Sequence, residues 1–357
     1  MDAAFVPGVE LSRCFYDDAV LPLLNAHFPD LPHSAARIGP GSEVLGFDTP
    51  RSADHEWGPR LQLFLHRQDT RAEAIADLLS ARMPKTFRGY PTNFAEAGSV
   101  RAMRYTEGPV CHRVEVTGLD VWFDRNLGFD PRRAVTTVDW LATPTQTLAE
   151  TTGGAVFYDG LGELAPARTA LAWYPDDVWR YVLACQWQRI AQEEAFVGRC
   201  GEVGDDLGSA VVAARLVRDL MRLALLMHRR YPPYSKWLGS AFARLELPVA
   251  DALRAATTWH AREKHLATAY SAFAEMHNRL GLTEAIDPAT RPYYDRPFQV
   301  LRADRFAEAL AASVSDPQLR ALPLIGAIDQ FADSTDLLGN RSLTRAVFEQ
   351  ALPPRGE

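Results

Sequence analysis

Cysteine is scarce: Cys14, Cys111, Cys185 and Cys200 are scattered through 357 residues. There is no CxxC pair and no histidine at zinc-finger spacing, which argues against structural zinc and against a disulfide framework. Reduced thiols, and hence a cytoplasmic location, are the simpler reading. The chain has no run of about 18 apolar residues, so no membrane span is predicted. Its first segment, MDAAFVPGVELSRCFYDD, lacks the basic start and continuous apolar core of a signal peptide. Neither GxSxG, Walker A nor a Rossmann fingerprint occurs, and no repeat or low-complexity tract is visible. An excess of basic charge is also missing. At a net charge of -7, an extended nucleic-acid surface is not expected.

What is present is the composition of a soluble globular protein, 47% hydrophobic and 23% charged. The length suits about two domains, and the hydrophobic pattern divides near residue 160. Before that point AARIG (35–39), RLQLFLH (60–66), CHRVEV (111–116) and GAVFYD (154–159) read as strands. TRAEAIADLLSARM (70–83) reads as a helix, and MPKTFRGYPTNFAEAG, with two Pro and two Gly, as a loop. Beyond residue 160 the pattern is helical. Asp176 and Asp177 after Pro175 suit a helix start, a second helix runs toward Pro232-Pro233, and a third spans 249–280, ending before Gly281. The expected fold class is α+β: a small mixed-sheet domain over 1–160, followed by an all-α helical bundle over 161–357.

One segment carries chemistry: GSEVLGFDTPRSADHEW, Gly41 to Trp57. A Gly-Ser turn supplies free backbone N–H groups and a hydroxyl, suited to a phosphate oxygen. On a strand, Asp54 and Glu56 would share a face, with carboxylates roughly 6–7 Å apart. Two close carboxylates favour a divalent cation between them, and Mg²⁺ takes its remaining oxygens from water and phosphate. Ala53 and the Gly58-Pro59 pair flank this reading. Proline belongs at an edge or bulge, so the strand is equally readable as beginning at Arg60.

The order Gly-Ser, about ten residues, then Asp-x-Glu resembles the polymerase-β-like nucleotidyltransferase superfamily. The resemblance implies that Gly41 and Ser42 grip the phosphates of an NTP, foremost ATP, while Asp54 and Glu56 bind Mg²⁺. It also implies a third carboxylate on a neighbouring strand. Glu115 in CHRVEV fits best, sharing its face with Arg113 and Cys111, and Asp120 and Asp124 compete. More narrowly, Tyr231-Pro-Pro-Tyr234-Ser-Lys236-Trp-Leu238 is similar to a segment of the DUF4037 group of predicted nucleotidyltransferases. The implied activity is Mg²⁺-dependent transfer of an NMP group to a hydroxyl of a small molecule or protein. The alternative is a catalytically inactive nucleotide-binding sensor or interaction protein of the same fold.

In the helical half Arg215, Arg218 and Arg222 share a helix face. They read either as a basic wall near a triphosphate or as a solvated face pairing with acids such as Asp219. Tyr234, Lys236 and Trp237 combine a stacking surface with a point charge for phosphate, or else form a helix start with Trp237 in the core. The nucleotide-binding set is thus Gly41, Ser42, Arg218, Tyr234 and Lys236, and the metal and catalytic set Asp54, Glu56 and Glu115. His55 points away from the acids on either side of it. His260 and His265, five apart, miss the spacing of helical zinc ligands.

Overall fold

The computed structural model describes residues 5–247 and 257–351. In chain order the first elements are α1 (Gly8–Phe15), a π-helical turn (Tyr16–Val20), α2 (Leu21–His27), β1 (His33–Arg37), a 3-10 turn (Pro50–Asp54) and β2 (Arg60–Leu65). Next come α3 (Ala72–Arg82), β3 (Thr86–Phe87), β4 (Tyr90–Pro91), β5 (Phe94–Ala97), β6 (Val100–Met103), β7 (Arg113–Gly118) and α4 (Leu119–Leu127). α5 (Thr137–Ala142), α6 (Thr145–Thr152), β8 (Ala155–Asp159) and α7 (Leu164–Ala170) lead into α8 (Asp176–Glu193), α9 (Phe196–Glu202), α10 (Asp206–Met227) and α11 (Ser235–Ala243). The rest comprises α12 (Trp259–Leu280), β9 (Arg291–Pro292), β10 (Gln299–Val300), α13 (Asp304–Ser313) and short helices up to α17 (Arg341–Ala351), α15 being Ile328–Phe331. The protein is thus mixed α/β, with a small mixed sheet and a helical C-terminal region.

Two compact units result: one holds residues up to Val135 with Thr147–Ala172, the other Thr136–Gln146 and the residues from Trp173 onward. In the first, the sheet runs β7-β2-β1-β8. β2 and β7 are parallel, pairing Arg60 with Arg113 and Gln62 with Glu115, whereas β1 is antiparallel to both β2 and β8. β2 alternates as a strand with one apolar face should. Leu61, Leu63 and Leu65 pack with Phe15, Ile75 and Leu79 from the helices, each such side chain stabilising by about 1.5–3 kcal/mol on burial. The opposite face carries Arg60, Gln62 and Phe64. Trp122 of α4 covers the Phe64 end, ring centroids 6.1 Å apart, which leaves Arg60 and Gln62 as a polar end of that face.

The second unit is built round α8, which is buried on nearly all sides from Trp179 to Trp187, as a central helix requires. Trp187 stacks on Phe306 at 4.7 Å and donates Nε1–H to His277 Nδ1 at 3.2 Å. Burial lowers His277 to about 4, which keeps the ring neutral and able to accept.

Three sequence expectations change. The segment read as one loop forms two hairpins, because Arg88 and Gly89 both take positive φ and close β3–β4 with a two-residue turn. The first strand starts at His33 and ends at Arg37, since Gly39 at φ 79° turns the chain out of the sheet. The C-terminal half is not wholly helical, because β9 and β10 pair. The helix expected over 249–280 is seen from Trp259 to Leu280, and residues 248–256 lie outside the described residues.

Candidate functional site

Gly41 and Ser42 begin the turn that follows β1, and Glu43 turns back beneath them. Glu43 Oε1 accepts from Arg37 Nε at 2.8 Å, and from Arg60 Nε at 3.0 Å and Nη2 at 2.7 Å. All three side chains are buried, at 2%, 4% and 7% exposure for Arg37, Glu43 and Arg60. One carboxylate therefore serves two guanidinium groups. Burial alone would raise the Glu43 carboxyl, but the two arginines outweigh it and hold the group below its usual range. Arg60 shows the other side of this ratio. Burial and the neighbouring Arg37 push it down to about 10, against the pull of Glu43. Arg60 Nη1 also lies 3.9 Å from Glu56 Oε2, a carboxylate shared with Arg113, so three guanidinium groups meet two carboxylates and one positive charge is in surplus.

The backbone comes very close to this cluster. A Cβ on Gly41 would stand 2.5 Å from Arg37 Nη2, 2.6 Å from Glu43 Oε2 and 2.7 Å from Arg60 Nη2. Only glycine allows that approach. Glu43 Oε2 has no hydrogen-bond partner. Ser42 accepts at its carbonyl from Phe47, but donates neither N–H nor hydroxyl to another described residue. Two donors thus sit beside a net positive cluster.

The carboxylates expected to hold a metal are arranged otherwise. Strand β2 starts only at Arg60, so Asp54 and Glu56 do not share a strand face. Proline at position 59 and glycine at 58, the latter at φ 139°, end the loop there. Asp54 closes the 3-10 turn, half exposed, with Oδ1 accepting from His55 N at 2.9 Å. His55 is itself about half exposed and lies against Asp54 rather than in a core. Glu56 takes φ 45°, accepts at Oε1 from Arg101 N at 2.9 Å, and pairs through Oε2 with Arg113 at 2.9 Å. Glu115 stands two residues beyond Arg113 on β7 and pairs with Arg125 of α4. The sheet thus brings Glu56 to the strand that carries Glu115, with guanidinium groups holding both. Among the described residues no three His, Cys, Asp or Glu side chains are grouped to hold a metal ion. This donor set does not fit Mg²⁺. The side-by-side positions on β2, two residues apart, belong to Arg60 and Gln62, and Gln62 Oε1 accepts from Ile38 N at 3.1 Å.

In the helical unit the arginine stripe of α10 spends its charges one by one. Arg215 pairs with Glu193 at 2.6 Å, Arg218 with Asp333 at 3.5 Å, and Arg222 with Asp329 at 3.0 Å. Asp219, the acid expected to pair with that stripe, meets Arg189 instead at 3.2 Å. Tyr234 precedes α11, and its N–H donates to Gln146 Oε1 at 3.0 Å. Lys236 lies over the Trp237 ring with Nζ 5.0 Å from the centroid. Arg37, Glu43 and Arg60 were missed by sequence reasoning. The available signal was an arginine at the polar position of RLQLFL and a glutamate directly after Gly-Ser.

The class defined is a small mixed sheet with a glycine-serine turn over a charged cluster, in a chain that continues as helices. Residues 140–238, from α5 to the first turn of α11, match the family described as "Domain of unknown function (DUF4037)". That match includes Arg218, Tyr234 and Lys236 and leaves out the Gly41–Glu56 segment. No curated protein and no solved structure gives a significant match to the chain. No helix among the described residues is long and apolar enough to cross a membrane.

Proposed function

We propose that this chain binds the phosphates of a nucleotide at the Gly41–Ser42 turn through arginine charge, as a binding or sensing module of nucleotidyltransferase-like design. The observation that carries this reading is the buried cluster of two arginines and one glutamate directly under that turn. Counted with Glu56 and Arg113, it keeps one positive charge in surplus at the edge of a low-dielectric interior, where it attracts an anion more strongly than a solvated lysine would. Ser42 supplies a hydroxyl and an N–H at the same place. Arg113, held by Glu56 at 2.9 Å and partly exposed, is the guanidinium able to exchange its partner for a phosphate oxygen.

The competing reading is Mg²⁺-dependent NMP transfer to a hydroxyl acceptor through Asp54, Glu56 and Glu115. Calorimetric titration of the full chain with ATP, GTP, CTP and UTP, with Mg²⁺ or with EDTA, separates the two. Binding that persists in EDTA and weakens about tenfold in Arg113→Gln, the loss of one charge-assisted contact, supports the binding module. Mg²⁺-dependent pyrophosphate release that disappears in Asp54→Ala would replace it with the transferase. An absence of NTP binding under both conditions would end both readings.

A further inference from the structure

A second charged concavity lies wholly within the sheet unit, past the carboxyl ends of β2 and β7. The Gly41–Ser42 turn belongs to the opposite end of these strands, because β1 runs antiparallel to β2. The concavity has a volume of about 220 Å³. That is room for roughly seven waters at ~30 Å³ each, or for a phosphate group with a few attached atoms. In open α/β sheets, ligands bind at the carboxyl ends of parallel strands, where connections leave a crevice.

Its walls come from four segments. The turn after β2 brings Arg67, the first turn of α4 brings Asp120, and the turn after β8 brings Glu163. The loop GFDPRRA, anchored at Pro131, brings Asp130, Arg132 and Arg133. The charges are paired unequally. Arg132 is held from two sides, by Asp130 through Nε at 2.9 Å and Nη2 at 2.7 Å, and by Glu163 through Nη1. The Asp130 carboxyl is lowered chiefly by its hydrogen bond from Arg132. Two of the three carboxylates are therefore spent on one guanidinium. Asp120 Oδ2 meets Arg67 Nε at 3.2 Å, and that arginine is 78% exposed. Arg133 also lines the concavity and donates its guanidinium to no described residue.

Three guanidinium groups thus face three carboxylates, and the cations differ in how they are held. Arg132 is rigidly placed, Arg133 has no hydrogen-bonded partner among the described residues and acts on Asp130 only as a nearby charge, and Arg67 is held by a single exposed pair. Planar guanidinium groups in this state recognise a multivalent oxyanion. We propose that this concavity is a binding site for the phosphate group of a small molecule, separate from the Gly41–Ser42 turn. Arg133 and Arg67 would contact the phosphate oxygens, and Asp130 and Glu163 would position Arg132 beside them.

The test uses the full chain and two probes, inorganic phosphate and glycerol phosphate, titrated by calorimetry at low ionic strength. Saturable binding is expected, at least about tenfold weaker in Arg133→Gln. Asp120→Asn should tighten binding, because it releases Arg67. A purely structural Arg67–Asp120 pair would not have that effect. Arg215→Gln, in the helical unit, should leave the affinity unchanged. Tighter binding of glycerol phosphate assigns the site to an ester, and equal binding to free phosphate. The proposal is overturned by an absence of saturable binding, by wild-type affinity in Arg133→Gln, or by binding that follows Arg113 instead. Binding that follows Arg133 and not Arg113 belongs to this concavity, and binding that follows Arg113 belongs to the turn, so the two proposals fail separately.

Discussion

Two buried glutamates, one in each unit, are kept in place by opposite means. Glu43 in the sheet unit is surrounded by cations, and its carboxyl lies below the usual range despite burial. Glu194, at the end of α8, is in no ion pair among the described residues, and the exposed Arg302 acts on it only as a nearby charge. Its Oε2 accepts from Leu301 N at 2.7 Å and its Oε1 from Ala303 N at 3.1 Å. Burial pushes it up to about 7, against the pull of those two N–H groups and of the Arg302 backbone N–H. Tyr270, Asp304 and Glu263, which face this region, bring no positive charge to it, whereas the exposed Arg302 does, from outside ion-pair distance. Backbone donors satisfy a buried carboxylate's lone pairs, but only a full countercharge keeps it reliably ionised.

The comparison can be broken most directly by removing Glu43. Glu43→Ala strands two buried guanidinium groups, and the chain should lose about 3–5 kcal/mol of stability in urea unfolding. A loss below about 1 kcal/mol would show that water already reaches the cluster. The next effect is a matter of sign with pH. Glu194 has its pKa raised on folding from 4.5 to about 7, so its contribution is complete below 4.5 and is lost as pH rises through 7. That gap corresponds to roughly 3 kcal/mol. Wild type minus Glu194→Gln, followed by unfolding from pH 4 to 8, isolates it. Glu43 has the reverse sign, with stability lost as pH falls. A flat difference curve for Glu194 would remove the contrast. The smallest effect is expected next door in sequence, where Glu193 is paired with Arg215 at the surface. Arg215→Ala should cost less than about 1 kcal/mol, and most of that should vanish in high salt.

Much of the helical unit was legible in the chain. The apolar spacing of α10 and the acids at the start of α8 are local signals, and the elements lie where those signals put them. β2 was legible for the same reason, as alternation along one strand. The hairpins of residues 86–103 were not, because Arg88 adopts a left-handed conformation that its type does not advertise. The Asp-x-Glu pair shows a different gap. Its spacing implies a shared face only if a strand is already running, and Pro59 decides that it is not.

The amino-acid sequence by itself determined which residues form most of the strands and helices, because alternation and helical spacing act over neighbouring residues. It also determined that acids and a glycine-serine turn lie within one short segment. Only the tertiary structure decided which arginine meets which acid. Arg37, Glu43 and Arg60 come from a strand, a turn and the next strand, and burial makes their pairing compulsory. The phosphate-binding reading rests on that pairing, since the surplus of positive charge exists only once Arg37, Arg60 and Arg113 share Glu43 and Glu56.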